Sequence, residues 1–160
     1  MGLMIRAGNS TATGTNLHDR WTAEDSKEYE RRAQCISDEY SGFEATEGVK
    51  LNGKLPLGEN TADNGGLRIA LMALESTLSQ QPSHADSNGF TPQQEFFISY
   101  AETWCSNATH HCLSMMAQSN PHSAAQARAN GVVSNMPEFP KAFGCKKGQP
   151  MVRENACRVW

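Results

Sequence analysis

The sequence predicts a mainly α-helical fold, and two observations support this prediction. Several segments repeat apolar residues every three or four positions, the spacing of one helix face, and two of them begin with capping signals. Alternation of apolar and polar residues, which marks a strand, is found only as a possible short strand at Val132 and Val133. We therefore expect one domain in which helices pack on helices.

The composition limits the possible partners of this domain. The chain has 160 residues, of which 38% are hydrophobic, enough for one core. Its formal net charge of −3 gives no attraction to a polyanion, so we expect no nucleic-acid binding. No apolar run approaches the roughly 18 residues that cross a bilayer, so we expect no membrane span. Residues 1–6 are too short for a secretory signal peptide.

The chain begins with a segment that has no helical pattern. Residues 1–20 are rich in Gly, Ser, Thr and Asn, so we expect a flexible arm before a domain over residues 21–160. The first helix is predicted to begin near Thr22, which forms a capping signal with Asp25, and to end at Gly42. Its predicted inner face consists of Tyr29, Ala33, Ile36 and Tyr40.

The second predicted helix covers residues 59–80, between a connection over residues 48–56 and Pro82. Its predicted buried stripe consists of Glu59, Asp63, Leu67, Ala70, Leu71, Leu74 and Leu78. Two carboxylates are costly to bury without a cation or several hydrogen bonds. The residues alone leave two interpretations open: the carboxylates bind a metal ion, or they complement the positive end of the helix dipole.

Two glycines lie one turn into this helix, at Gly65 and Gly66. Each is expected to destabilise the helix by roughly 0.5–1 kcal/mol relative to alanine. We therefore expect a neighbouring helix to pack closely against them.

The third predicted helix begins at Thr91, a favourable N-cap. Pro92 fits the first helical position and Gln94 completes a capping box. Its predicted buried stripe consists of Phe97, Ala101 and Trp104. A last short helix is predicted over residues 137–143, ended by Gly144.

The cysteines are too irregularly spaced for a paired zinc module. They are Cys35, Cys105, Cys112, Cys145 and Cys157. Their odd number leaves one unpaired within the chain, and the residues alone allow either a reduced cytosolic protein or an oxidised extracytoplasmic one. His110 and His111 beside Cys112 could imitate a zinc cluster, but we expect a surface loop there.

Residues 57–67, LGENTADNGGL, resemble the E-N-x-A-D signature of the neprilysin family of zinc metallopeptidases. Other motifs of that family are similar in order and spacing, at residues 52–55, 96–105, 121–123, 130–139 and 157–160. The resemblance runs from about Leu17 to the last residue. It implies the C-terminal helical part of a zincin-like (gluzincin) peptidase catalytic domain.

The resemblance also implies roles for four residues. Glu59 corresponds to the third zinc ligand, and Asp63 to the acid that supports the metal site. His122 corresponds to the histidine that stabilises the oxyanion of the intermediate. Arg128 corresponds to the arginine that hydrogen-bonds the substrate backbone.

The sequence departs from the family in one large respect. Peptidases of this type hold zinc and activate water with H-E-x-x-H. No histidine of this chain begins that motif; the five histidines are His18, His84, His110, His111 and His122. We therefore expect this chain to be the C-terminal part of a larger peptidase. One Zn²⁺ ligand would be present here, and the two histidine ligands would lie on a missing N-terminal portion. The complete enzyme is expected to act on peptide substrates. The isolated chain is predicted to be inactive. The alternative is a non-catalytic binding or assembly module that retains the peptidase core.

The resemblance gives the cysteines an assignment. It implies that Cys35 pairs with Cys157, whereas Cys105 and Cys145 would pair with cysteines outside this chain. Cys112 is then extra. The resemblance also implies an extracytoplasmic location: periplasmic, secreted or at the cell surface.

Overall fold

The computed structural model describes residues 21–80 and 89–159, which form six helices and one hairpin. These are α1 (Ala23–Ser41), β1 (Glu44–Thr46), β2 (Val49–Lys50), α2 (Leu57–Gln80), α3 (Pro92–Glu102), α4 (His110–Ser119), α5 (Ala125–Ser134) and α6 (Glu138–Phe143). The predicted mainly α fold is confirmed. The predicted arm over residues 1–20 lies outside the described residues, as do residues 81–88. No helix in the described part is long and apolar enough to cross a membrane.

Helix α1 begins and ends where the sequence predicts. The Asp25 N–H donates to Thr22 Oγ1 over 3.1 Å, and the Thr22 N–H donates to the Asp25 carboxylate over 3.4 Å, which completes the capping box. Gly42 ends the helix by donating its N–H to the Glu39 carbonyl. The Ile36 and Tyr40 side chains are fully buried.

The buried face of α2 differs from the predicted stripe. Leu67 and Leu71 are buried as expected, but Ala70 is exposed, and Asn60 is fully buried. Asn60 lies seven and eleven positions before the two leucines, so it is more closely in line with them than Glu59 is. Glu59 therefore lies at the edge of the buried face.

The close approach expected at the glycine pair is not found at Gly66. At Gly66 the described structure has nothing within 4 Å of the position that a Cβ would take. Ile69 and Met72, which follow on the same part of α2, are 69% and 61% exposed. Tight contacts occur at Gly53, where a Cβ would overlap the Ser37 carbonyl oxygen, and at Gly131, where a Cβ would lie 2.7 Å from the Tyr40 ring. Helix α5 therefore packs on α1 at a distance that only glycine allows.

Three local predictions are wrong. Val132 and Val133 lie in α5 and not in a strand, because both are buried in a helix that has core on two sides. Residues 110–112 begin α4 and are not a loop, because Thr109 Oγ1 accepts the Cys112 N–H over 3.2 Å and caps the helix. The β1–β2 hairpin was not predicted; its turn contains Gly48, at a φ of 74°.

The last two predicted helices are confirmed with one difference. Helix α3 has the predicted Thr91–Gln94 capping box, and α6 ends at the left-handed Gly144. Phe97 is buried, but Ala101 is exposed. Tyr100 faces inward in its place, with its hydroxyl on α5.

Two apolar clusters form the core, and α5 contributes to both. The first consists of Ile36, Tyr40, Ala45, Leu51, Ala127, Cys157 and Val159. The second consists of Leu67, Leu71, Phe97, Val132, Val133 and Met136. Since α5 joins the clusters, a shift of α5 would disturb both.

A disulfide and a buried carboxylate attach the C-terminal segment to this core. Cys35 of α1 is bonded to Cys157, with a Cα–Cα distance of 5.6 Å. Closing a loop of 122 residues is worth about 5 kcal/mol in the chain-entropy account. Cys105, Cys112 and Cys145 have free thiols.

The buried carboxylate is Glu39, whose side chain has no exposed area. It accepts from Asn135 Nδ2 at 2.6 Å and from Ser134 Oγ at 3.2 Å, and Arg153 lies 3.0 Å away. Asn135 Oδ1 in turn accepts the Cys157 N–H over 2.7 Å. Burial raises the pKa of Glu39, and the Asn135, Arg153 and Ser134 partners oppose that rise. We call these five residues the Glu39 network.

The Glu39 network predicts how stability changes with pH. Because the pKa of folded Glu39 lies above 4.5, the folded chain binds this proton more tightly than the unfolded chain does. The contribution of Glu39 to stability is therefore complete below about pH 4.5 and is lost as the pH rises through the folded value.

Urea unfolding between about pH 4 and about pH 8 measures this contribution. The free energy of unfolding of the parent, minus that of Glu39→Gln, should fall as the pH rises. The same substitution at the exposed Glu30 is the matched control. A difference that grows with pH would contradict the assignment.

Candidate functional site

The first two turns of α2 carry the acidic residues of the site. Glu59 and Asp63 are one helical turn apart, so their side chains lie on the same side of α2. The side chain of Glu59 is 19% exposed and that of Asp63 is 15% exposed. Both carboxylates therefore reach solvent through a small opening only.

Asp63 forms a two-point ion pair with Arg128 of α5. Arg128 Nε donates to Asp63 Oδ2 over 2.6 Å, and Nη2 donates to Oδ1 over 2.7 Å. The pair is short, charge-assisted and mostly buried, so the two groups attract each other more strongly than in a surface salt bridge, and removal of one partner would leave the other buried and unpaired. The two bonds use two of the five guanidinium N–H groups, which leaves three that Asp63 does not use.

Tyr100 of α3 and Trp104, which follows the end of α3, contact Arg128 from another side. The Arg128 Cζ atom lies 4.0 Å from the centroid of the Trp104 ring, a cation–π contact. The Tyr100 hydroxyl donates to the Arg128 carbonyl over 3.2 Å. Trp104 was predicted as a core residue and Tyr100 was not predicted, although it lies only four positions before Trp104 and the two ring centroids are 6.1 Å apart.

This environment sets the protonation of Arg128 and Tyr100. Burial lowers the pKa of Arg128, but the hydrogen bond and charge of Asp63, with smaller effects from Tyr100 and Glu59, raise it above its ordinary value. Burial and the Asp63 charge raise the pKa of Tyr100 to about 12. Arg128 is therefore a cation and Tyr100 a neutral donor throughout the physiological range.

His122 lies opposite Glu59, on the loop before α5. Its Nε2 is 3.4 Å from Glu59 Oε2, and its side chain is 45% exposed. The His122 N–H donates to Asn120 Oδ1 over 2.9 Å, and Nδ1 lies 3.2 Å from the same oxygen. A local turn at Asn120 thus orients the imidazole towards the acidic end of α2.

Ser123 attaches this loop to α2. Its Oγ donates to Asn60 Oδ1 over 2.9 Å in a buried position. One turn later, Asn64 Oδ1 accepts from Asn135 Nδ2 over 3.1 Å, and Asn64 Nδ2 donates to the Asn60 carbonyl. The polar pairs between α2 and the segment around α5 form what we call the α2–α5 seam: Asn60, Asp63, Asn64, Ser123, Arg128 and Asn135.

The structure brings the four predicted site residues together as two pairs, Glu59 with His122 and Asp63 with Arg128. The supporting residues Asn60 and Asn64 were not predicted from the sequence, although both lie on the helix face of Leu67 and Leu71. Cys35 and Cys157 lie in the disulfide and not in this site.

These residues do not by themselves complete a zinc site. Tetrahedral zinc requires four donors. Within residues 21–80 and 89–159 there is no group of three or more His, Cys, Asp or Glu side chains that could hold a metal ion. Glu59 offers one carboxylate, and its neighbour His122 lies on the opposite wall.

Comparison with known proteins gives a consistent result. Residues 4–159 match the sequence profile of Peptidase family M13. The chain is 37% identical over 150 residues to Neprilysin-1 of Caenorhabditis elegans and 37% identical over 148 residues to Neprilysin-3 of Drosophila melanogaster. Each match covers 91% of this chain, and 20% and 19% of the two relatives.

A solved structure has the same fold. The open-state cryo-EM structure of the Mycobacterium tuberculosis zinc metalloprotease ZMP1 superposes with a TM-score of 0.85 at 27% identity, over 97% of this chain and 25% of that one. The chain thus spans about a fifth of the length of the curated relatives it matches. The resemblance to the neprilysin family is confirmed, and the chain belongs to peptidase family M13.

Proposed function

We propose that this chain forms the C-terminal part of the active site of a zinc metalloendopeptidase, in which zinc-activated water hydrolyses peptide bonds. The observation that carries the proposal is the pairing of Glu59 with His122 and of Asp63 with Arg128 at one end of α2. Peptide hydrolysis needs groups that hold the metal ion, stabilise the oxyanion and bind the substrate backbone, and two carboxylates, a histidine and an arginine can supply them.

Arg128 is proposed to bind the substrate backbone. Asp63 and Trp104 fix its guanidinium plane, and three of its N–H groups are not used by Asp63. A fixed guanidinium can donate to a peptide carbonyl with little loss of side-chain entropy. Asp63 accepts one hydrogen bond at each oxygen and keeps a lone pair on each, so it can also orient a histidine supplied by another portion of the enzyme.

Glu59 is proposed as one zinc ligand and His122 as a donor to the oxyanion. Glu59 is positioned between the seam and the open face of α2, which consists of Ala62, Gly66, Ile69, Ala70 and Ala73. All five lie within about 80° of Glu59 on the helical wheel. A partner that covers this face would therefore also reach Glu59.

That partner is proposed to be the N-terminal portion of the peptidase domain. Ile69, a large apolar side chain that is 69% exposed, marks the face as a surface for another part of a protein. An extracytoplasmic location is proposed from the Cys35–Cys157 disulfide, because such bonds persist in oxidising compartments.

The chain alone is expected to show no peptidase activity and no tight stoichiometric zinc. One carboxylate cannot hold zinc without further ligands. Metal analysis of the purified chain and a fluorogenic peptide assay check this. Stoichiometric zinc, with turnover that is lost in Glu59→Gln, would contradict it.

Mixing the chain with a separate chain that carries the H-E-x-x-H portion of a family M13 peptidase is expected to produce zinc-dependent peptide hydrolysis. The rate should fall by at least about 100-fold with Glu59→Gln, because a metal ligand is lost. Glu75→Gln, at an exposed position of α2, is the matched control and should leave the rate unchanged. A stable complex without hydrolysis would contradict the proposal and favour the binding or assembly module.

A further inference from the structure

We propose that α4 carries a site for a soft monovalent cation such as Cu(I), formed by the sulfur atoms of Cys112, Met115 and Met116. These residues lie outside the α2–α5 seam and both apolar clusters. Cys112 is also the cysteine for which the peptidase resemblance offers no partner. The site does not depend on the proposed peptidase function.

Two of the sulfur atoms already have the separation that an ion requires. Cys112 Sγ lies 3.8 Å from Met116 Sδ, and the thiol points at the thioether. Two sulfur ligands of one ion, each at about 2.3 Å and about 120° apart, are separated by about 4.0 Å. An ion can therefore enter between them with a shift of only a few tenths of an ångström.

The helix places the third sulfur on the same face. Met115 and Met116 follow Cys112 by three and four positions, the spacing of neighbours on a helix surface. Cys112 is exposed, and Met115 is 57% exposed. Solvent therefore reaches Cys112 and Met115 directly and Met116 in part, and trigonal coordination needs three donors.

The chemistry of α4 selects a soft ion. Thiolate and thioether ligands favour Cu(I), whereas Mg²⁺, Ca²⁺ and Mn²⁺ need oxygen donors. The sequence of α4, HHCLSMMAQS, contains no carboxylate. His110 is directed away from the sulfur atoms, with Nε2 3.3 Å from the Glu47 carbonyl oxygen and Nδ1 3.5 Å from Ser114 Oγ.

Binding requires no change in oxidation state. A Cu(I)–S bond forms at Cys112, the S–H bond breaks, and its proton goes to solvent. Met115 and Met116 each donate a lone pair and lose nothing. One proton is released for each ion bound.

The test is a competition titration with Cu(I), under anaerobic conditions with ascorbate, against a chromophoric Cu(I) chelator. The background is the chain with Cys105→Ser and Cys145→Ser, because those two thiols also bind Cu(I). This parent should take one Cu(I), and Cys112→Ser should take none in competition. Met116→Leu and Met115→Leu should each bind at least about tenfold more weakly.

The matched control is Met72→Leu, which removes an exposed thioether from α2 and should not change the affinity. Retention of tight stoichiometric Cu(I) in Cys112→Ser would overturn the proposal. Equal affinity in the parent and Met116→Leu would reduce the site to a single thiol and also overturn it. Equal affinity in the parent and Met115→Leu would overturn the three-sulfur coordination.

Discussion

The packing of α2 against α5 depends on polar side chains that must meet specific partners. Three residues in the first two turns of α2, Asn60, Asp63 and Asn64, each have a partner in or beside α5. Unpaired polar groups at these positions are costly, because the interface is mostly buried. Among the described residues at these positions one such group remains, the Asn60 Nδ2 amide. The α2–α5 seam therefore admits one register and one rotation of α2, whereas apolar contacts alone would permit several.

The position of the candidate site follows from this register. The Ser123–Asn60 bond holds the loop that carries His122, and the Asp63–Arg128 pair fixes the arginine. Glu59 is then left at the edge of the interface, mostly buried and facing His122. The neighbouring Glu39 network shares Asn135 with the seam, so the disulfide-linked C-terminal segment is coupled to the same interface. One set of buried hydrogen bonds thus supports both the fold and the site.

Local signals in the sequence predicted most of the helix boundaries. Thr22 and Thr91 cap α1 and α3 as expected, and Gly144 ends α6, because capping depends on residues only three or four positions apart. Val132 and Val133 were misjudged because β-branched residues favour strands in isolation, and only the two clusters around α5 make a helix preferable. Thr109 was an available cap that was not used.

Family resemblance predicted the site residues, but the sequence could not predict which of them would pair. Asp63 and Arg128 are 65 positions apart, and no local pattern says that they meet. Asn60 was overlooked because a fully buried asparagine on a leucine face contradicts hydrophobic periodicity, and its partner Ser123 is equally distant in sequence. Tertiary hydrogen bonds of this kind override the local pattern that sequence interpretation depends on.

A double-mutant cycle at Asp63 and Arg128 tests most directly whether this pair joins α2 to α5. Asp63→Asn, Arg128→Gln and the double variant would be unfolded in urea alongside the parent chain. The mostly buried two-point pair predicts a coupling free energy of about 1.5–3 kcal/mol between the two positions. A coupling below about 0.5 kcal/mol would show that the two residues contribute independently, and it would contradict the account.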